Sequence, residues 1–228
     1  MQYALLIVMG TALGMPLRRI VFWRGCGYYK TAHRLYLRAA WMLGGAAYAA
    51  MAVQELILLL CGKLSWRTGL PLHLCSAMGL LTLPMLLTGR RLLWHWSLFL
   101  GRPGALMAIL FPSILSTPWP QVTTLAFHTL HCAVALSPLL PFALGRQPSP
   151  WGAASSMAFL LVFACVALGV NALTGGNYLF LNLPAAGTPL SFMARGGLTA
   201  YRIALAAVCA AVLAAEAALV GWRQRRTA

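Results

Sequence analysis

The 228 residues are 61% hydrophobic and only 8% charged, with a mean hydropathy of +0.79. A soluble domain carries about 25% charged residues, so this composition excludes a soluble protein and indicates an integral membrane protein. The formal net charge of +15 does not indicate a nucleic-acid partner, because the basic residues cluster at the ends of apolar runs. In that position they set membrane topology and contact lipid headgroups.

Seven apolar runs approach the length of about 20 residues that a membrane-spanning helix needs. We therefore predict an all-α fold, a polytopic transmembrane helix bundle that forms one membrane domain over residues 1–228. The predicted spans are 2–17, 39–61, 70–88, 93–116, 121–144, 152–173 and 198–222. The first is the shortest, and the bundle has six spans if this run does not cross. We interpret it as a span rather than a signal peptide, because no basic segment precedes it and Arg18 and Arg19 occupy the place of a cleavage site.

The distribution of basic residues predicts the orientation of the bundle. With the N-terminus outside, the inner loops and their edges hold twelve basic residues and the outer ones hold four. The inner group is Arg18, Arg19, Arg24, Lys30, Arg34, Arg38, Arg90, Arg91, Arg146, Arg223, Arg225 and Arg226, and the outer group is Lys63, Arg67, Arg195 and Arg202. Cytoplasmic loops carry the excess of Lys and Arg in membrane proteins. We therefore predict a multi-pass protein of the cell membrane with its N-terminus outside and its C-terminus in the cytoplasm.

Polar side chains from four spans and one loop fall at similar depths in this topology. A rise of about 1.5 Å per residue places all of them in the outer half of the membrane. They are Glu55, His73, Cys75, His128, His131, Asn171, Asn177 and Tyr178. Polar groups within a membrane face the bundle interior or a wet cavity. We therefore expect these residues to share one outward-facing pocket.

Several of the same residues lie in stretches that resemble a known family. The stretches are Gln54-Glu55-Leu56-Ile57, Leu70-Pro71-Leu72-His73-Leu74-Cys75-Ser76, His131 seven residues before Pro138, Gly176-Asn177-Tyr178-Leu179-Phe180-Leu181, and Pro184-Ala185-Ala186. From about Arg38 to the C-terminus the chain resembles the YwaF-type bacterial membrane proteins, which are related to the eukaryotic transmembrane protein 164 family. Two features depart from the family pattern: His128 is not part of it, and Pro112 is followed by Ser113 where an acidic residue is usual.

The eukaryotic family is described as phospholipid acyltransferases that use a cysteine. The resemblance therefore implies a membrane lipid acyltransferase or acyl-ester hydrolase, with phospholipids or lysophospholipids as partners and no cofactor. It implies Cys75 as the nucleophile and His131 as the base, since a histidine that takes the thiol proton lets the thiolate attack an ester carbonyl. Asn177 and Tyr178 would then line the pocket or hold the oxyanion.

The other polar residues of the predicted pocket would have supporting roles. His73, Glu55, His128 and Asn171 would orient an imidazole or contact the substrate. His73 and Cys75 are two residues apart and point to different faces of a helix, which makes His131 the better partner for the thiol.

Two other functions remain open at this point. A binding or transport protein could hold a small solute in the same outer pocket. Its moving parts would be Arg102 and a fourth helix broken or bent at Arg102-Pro103-Gly104. A metal or haem protein could use His73, His128 and His131 as ligands, although a zinc site needs three or four ligands and no HExxH-like helix is present.

Overall fold

The structure is a computed structural model. It describes residues 2–114, 116–185, 188 and 190–227, and the side chains of these residues except 2–9, 12 and 227. The described residues form seven main helices and contain no strand, which confirms the all-α prediction. The helices are α1 Gln2–Gly25, α2 Tyr29–Leu60, α3 Leu74–Thr88, α4 Arg91–Trp96 continued by Ser97–Gly101 and Arg102–Leu110, α5 Pro120–Leu136 continued by Ser137–Leu139 and Leu140–Ala143, α6 Trp151–Thr174, and α7 Gly197–Thr227. Short helical turns Tyr178–Phe180, Leu190–Met193 and Ala194–Gly196 lie between α6 and α7.

Four of these helical segments are long and apolar enough to cross a membrane. They are Tyr29–Leu60, Pro120–Ala143, Trp151–Thr174 and Leu190–Arg226, and α3 is apolar but shorter. Helices whose backbone polar groups are all paired internally are one of the two structures that can span lipid. The chain is therefore a multi-pass membrane protein. Helix α5 is the most buried of the four segments and the last segment is the least buried, so α5 lies near the centre of the bundle.

Helices α3 and α4 are shorter than the predicted spans 70–88 and 93–116, and a proline explains each difference. Helix α3 begins at Leu74 rather than at residue 70, because the chain turns at Pro71 and His73 is extended, with φ −79° and ψ 144°. Helix α4 ends at Leu110 rather than at residue 116. Phe111 precedes Pro112, and a residue before proline is disfavoured in the helical region.

The fourth helix is not broken at Arg102-Pro103-Gly104. Instead it contains a π-helical turn at Ser97–Gly101, in which the backbone N–H of Arg102 donates to the carbonyl of Ser97 five residues earlier. Pro103 has no N–H, and in an α-helix its ring would clash with the carbonyl four residues before it. The wider π turn accommodates the proline, and the helix continues to Leu110. Single π turns of this kind occur frequently at functional sites.

Glycines allow α3, α4 and α5 to approach one another closely. A Cβ atom at Gly79 of α3 would lie 2.8 Å from Leu130 Cδ1 of α5. A Cβ atom at Gly101 of α4 would lie 3.0 Å from Met78 Cγ of α3 and 3.3 Å from Val134 Cγ1 of α5. Small residues have this role between membrane helices, where close backbone contact replaces the hydrophobic effect as the source of stability. The three helices that carry Cys75, Gly104 and His131 therefore form one packed unit.

Candidate functional site

Cys75 is the second residue of α3. His73 occupies the N-cap position, and no side chain caps this end of the helix. The first backbone bond of the helix runs from the N–H of Ala77 to the carbonyl of His73, at 3.0 Å. The N–H groups of Leu74, Cys75 and Ser76 have no acceptor among the described residues. The start of a helix leaves such donors free and carries partial positive charge.

The thiol of Cys75 faces α4 at a position where that helix has no side chain. Cys75 is half-buried. A Cβ atom at Gly104 would lie 3.8 Å from Cys75 Sγ and 3.2 Å from Leu74 Cδ2. Gly104 therefore leaves room beside the sulfur that any larger residue would fill.

The ring of His131 has a defined tautomer in the described structure. Its Nδ1 lies 2.6 Å from the carbonyl oxygen of Phe127, and the centroids of the Phe127 and His131 rings are 4.1 Å apart. A carbonyl can only accept, so Nδ1 carries the proton and Nε2 keeps a free lone pair. His131 is 7% exposed. With Nδ1 as the donor to Phe127, Nε2 is the ring nitrogen that is left to accept a proton, as a general base must.

His131 lies on the part of α5 that packs against α3, which carries Cys75, and against α4. Its neighbours Leu130 and Val134 contact Gly79 of α3 and Gly101 of α4 respectively. His131 is also within electrostatic range of His73 and His128. Across the described residues no hydrogen bond joins Cys75 Sγ to the His131 ring, so a direct pair of these two groups stays a prediction.

His73 and His128 have different surroundings. The ring of His73 packs 5.4 Å from that of Tyr178 and 5.1 Å from that of Phe180. Burial lowers the pKa of His73, which keeps its ring neutral at physiological pH. His128 is 2% exposed, and neither of its ring nitrogens has a hydrogen-bond partner in the described part of the chain.

Tyr178 joins the two loops at this end of the bundle. It is fully buried, and its hydroxyl donates to the carbonyl of Trp66 at 2.9 Å and accepts from the N–H of Leu70 at 3.0 Å. Burial raises the pKa of Tyr178, so the hydroxyl stays protonated. The side-chain amide of Asn171 holds the backbone of Tyr178 from both sides, at 2.7 and 3.0 Å. Tyr178 and Asn171 therefore fix the segment that leads into α3.

The side chain of Asn177 organises its own loop. Its Oδ1 accepts from the N–H groups of Asn182 and Leu183 at 3.0 Å, and its Nδ2 donates to the carbonyl of Leu183 at 2.9 Å. Leu179 and Phe180 both have a φ of 55°, a strained conformation for residues with side chains. Since the polar atoms of Asn177 and Tyr178 bond within the loops, the geometry favours a positioning role for both.

Two arginines outside the predicted site tie these loops together. Arg67 Nε donates to the carbonyl of Thr174 at 2.6 Å, and its guanidinium packs on Gly175. Arg202 donates to Asn182 Oδ1 and to the carbonyl of Leu181, both at 2.9 Å. The signal was present, because Arg67 and Arg202 belong to the few basic residues on the sparsely charged side of the predicted topology.

Glu55 lies beneath the loop that leads into α3. A Cβ atom at Gly69 would lie 3.2 Å from Glu55 Oε2. The carboxylate is also within electrostatic range of Tyr178. Glu55 therefore belongs to the same end of the bundle as Cys75, although within the described residues no hydrogen bond joins it to a histidine.

The geometry does not favour the two alternative functions. Among the described residues, no three His, Cys, Asp or Glu side chains are grouped so that they could hold a metal ion. His73, His128 and His131 are thus not arranged as a ligand set. The transport hypothesis invoked a fourth helix broken or bent at Arg102-Pro103-Gly104, and α4 has no break there but a π turn just before it.

Comparison with known proteins identifies the family of the chain. The fold defines the class of protein, a seven-helix membrane bundle with a cysteine at a helix start and a buried histidine. Within this class the chain belongs to the TMEM164 family, whose model matches residues 2–216. A protein of Treponema pallidum (strain Nichols), described as an uncharacterized protein, is 32% identical over 143 residues, which are 60% of this chain and 58% of that protein. The chain thus spans somewhat over half the length of that relative. No solved structure matches this chain.

Proposed function

We propose that this protein is a membrane enzyme that transfers or hydrolyses an acyl chain of a phospholipid through a thioester on Cys75. The observation that carries the proposal is the place of Cys75, at the uncapped start of α3 with its sulfur beside Gly104. The first N–H groups of α3 lie at that end of the helix, and Cys75 lies within the first helical turn, close to the end of the bundle. Lipid ester groups lie at comparable depth in a bilayer, so a lipid suits this site better than a soluble substrate.

The proposed chemistry assigns each step to a group of this chain. His131 Nε2 accepts the thiol proton, and Cys75 Sγ bonds to the ester carbonyl carbon. The N–H groups of Cys75 and Ser76 hold the resulting oxyanion. The ester C–O bond then breaks, His131 returns the proton to the leaving alkoxide, and the acyl chain remains on the sulfur.

The acyl-cysteine is resolved by a second nucleophile. A lysolipid hydroxyl gives a new phospholipid, and water gives a free fatty acid. In either case His131 takes the proton of the attacking hydroxyl and returns it to the thiolate. Tyr178, Asn171, Asn177 and Glu55 act by holding the loops around this site.

The proposal includes the location of the site. The excess of basic residues at the other end of the bundle favours a cytoplasmic C-terminus in the cell membrane. The Cys75 end would then face outward, and the substrate would come from the outer leaflet.

Acyl turnover in nanodiscs tests the proposal. Wild type, Cys75→Ala and the control Cys61→Ser would be compared with a phospholipid carrying a labelled acyl chain and an unlabelled lysolipid acceptor. Cys61 caps the far end of α2 at the same end of the bundle. We expect Cys75→Ala to lose at least about 100-fold in labelled product, because the covalent route is removed. Turnover retained in Cys75→Ala, or lost equally in Cys61→Ser, would contradict the mechanism.

A further inference from the structure

The end of the bundle opposite to Cys75 contains a cavity of about 450 Å³ that is open to the surroundings, since Tyr29, Lys30 and His33 of its lining are exposed. It lies where the end of α1, the start of α2 and the end of α5 meet. Its lining residues are Arg24, Tyr29, Lys30, Ala32, His33 and Leu144. Nothing in the proposed acyl chemistry uses this cavity.

The positive charge of the cavity has no counter-charge in the chain. The whole sequence contains two acidic residues, Glu55 and Glu216, and neither lines the cavity. Lys30 lies in the first turn of α2, which has no acidic residue and no side-chain cap. A cation at a helix N-terminus is disfavoured by the helix dipole. Arg24, Lys30 and the start of α2 are thus three neighbouring sources of positive potential. A bound anion would reduce the repulsion between them.

Packing holds one of these charges in place. The guanidinium of Arg24 lies directly over Gly145, where a Cβ atom would clash with it. Gly145 has a φ of +80°, a conformation that favours glycine, at the turn that follows α5. The turn therefore holds the guanidinium of Arg24 at the edge of the cavity.

Aromatic side chains beside the cavity indicate its depth. The ring of Trp23 packs 5.4 Å from that of Phe22 and 5.4 Å from that of Tyr28. Tyr28 and Tyr29 are exposed. Amphipathic aromatic rings concentrate at the level of the lipid headgroups. The cavity thus lies where lipid phosphates are found.

We propose that this cavity binds the phosphate group of an anionic phospholipid from the adjacent leaflet. Arg24 and Lys30 pair with the phosphate oxygens. His33 and Tyr29 offer further polar atoms at the rim, and Leu144 provides an apolar wall toward the acyl chains. This site is independent of Cys75 and of the proposed enzyme activity.

Binding of single lipids to the purified full-length protein tests the site. Native mass spectrometry in neutral detergent would follow phosphatidylglycerol and phosphatidylcholine titrations for wild type, Arg24→Gln/Lys30→Gln and Arg90→Gln/Arg91→Gln. The last variant removes the same charge from exposed positions at the same end but outside the cavity. Lys30→Gln alone is included because Lys30 is exposed and its loss leaves the packing of Arg24 intact.

The expected results are specific to the cavity. The double variant loses roughly thirtyfold in phosphatidylglycerol affinity, since each basic residue contributes about fivefold. Lys30→Gln loses about fivefold, the Arg90→Gln/Arg91→Gln control changes less than threefold, and phosphatidylcholine binds more weakly to wild type throughout. Equal losses in the two double variants, equal binding of the two lipids, or displacement of the lipid by millimolar inorganic phosphate would overturn the proposal.

Discussion

The histidines of α5 show how neighbouring residues of one type differ in their surroundings. His131 donates through Nδ1 to the carbonyl of Phe127, whereas both nitrogens of His128 are buried without a partner among the described residues. An unpaired buried polar group costs about 1–3 kcal/mol. His131 therefore has a proton on Nδ1. The unpaired ring of His128 lowers the free energy of unfolding, and the packing of the bundle offsets this loss.

The orphaned ring of His128 leads to a stability prediction. We expect His128→Leu to leave the free energy of unfolding unchanged or to raise it by about 1 kcal/mol, because the unpaired nitrogens are removed. Reversible unfolding in mixed micelles would measure it. The matched control is His95→Leu, which removes the acceptor of the Ser149 N–H and should destabilise the protein. A loss above about 2 kcal/mol in His128→Leu would mean that the ring has a partner.

At the scale of elements, the junction of α3, α4 and α5 depends on a glycine in the π turn. A Cβ atom at Gly101 would approach Met78 Cβ to 3.2 Å and Val134 Cγ1 to 3.3 Å, and neither atom moves freely. We expect Gly101→Ala to destabilise the protein by about 1–3 kcal/mol through overpacking. It should also lower acyl turnover, because α4 moves away from Cys75.

The control for this prediction is Gly169→Ala in α6, where a Cβ atom would meet nothing within 4 Å. It should be neutral or slightly stabilising, since alanine is the better helix former. Unfolding in mixed micelles compares the two variants. Equal stabilities would show that the junction is not closely packed.

The hydroxyl of Tyr178 links the two loops around the site. Tyr178→Phe removes the donor to Trp66 and the acceptor of the Leu70 N–H. We expect the Leu70 amide to exchange with deuterium at least about tenfold faster, because its buried bond is lost. Tyr28→Phe, at an exposed position at the other end, should leave this rate unchanged. A wild-type exchange rate in Tyr178→Phe would contradict the structural role assigned to the hydroxyl.

The sequence predicted the elements better than the geometry of the site. Seven helices follow from seven apolar runs, and the polar residues of the outer half stood out because polar groups are costly in apolar runs. The family resemblance then singled out Cys75 and His131 among them. The start of α3 was missed because the apolar run continues through Pro71, and hydropathy does not separate an extended segment from a helix. The bond between Tyr178 and Leu70 joins residues 108 positions apart, a contact that local patterns do not contain.

At the scale of the whole molecule, charge asymmetry gives the orientation a direct test. Cys26 is exposed after α1, and Cys61 caps α2 at the opposite end. In variants that keep one of the six cysteines, a membrane-impermeant maleimide should label Cys61 in intact cells and Cys26 only after permeabilisation. The reverse labelling pattern would place the Cys75 end in the cytoplasm and would move the proposed substrate to the inner leaflet.

The proposed activity requires an acyl group attached to the sulfur of Cys75, and peptide mass spectrometry measures this directly. The wild-type protein would be incubated with phospholipid, quenched in acid and digested. We expect an acyl thioester on the peptide containing Cys75, removable by hydroxylamine and strongly reduced in His131→Gln. An acyl group on another cysteine, or none on Cys75 while turnover proceeds, would contradict the central claim.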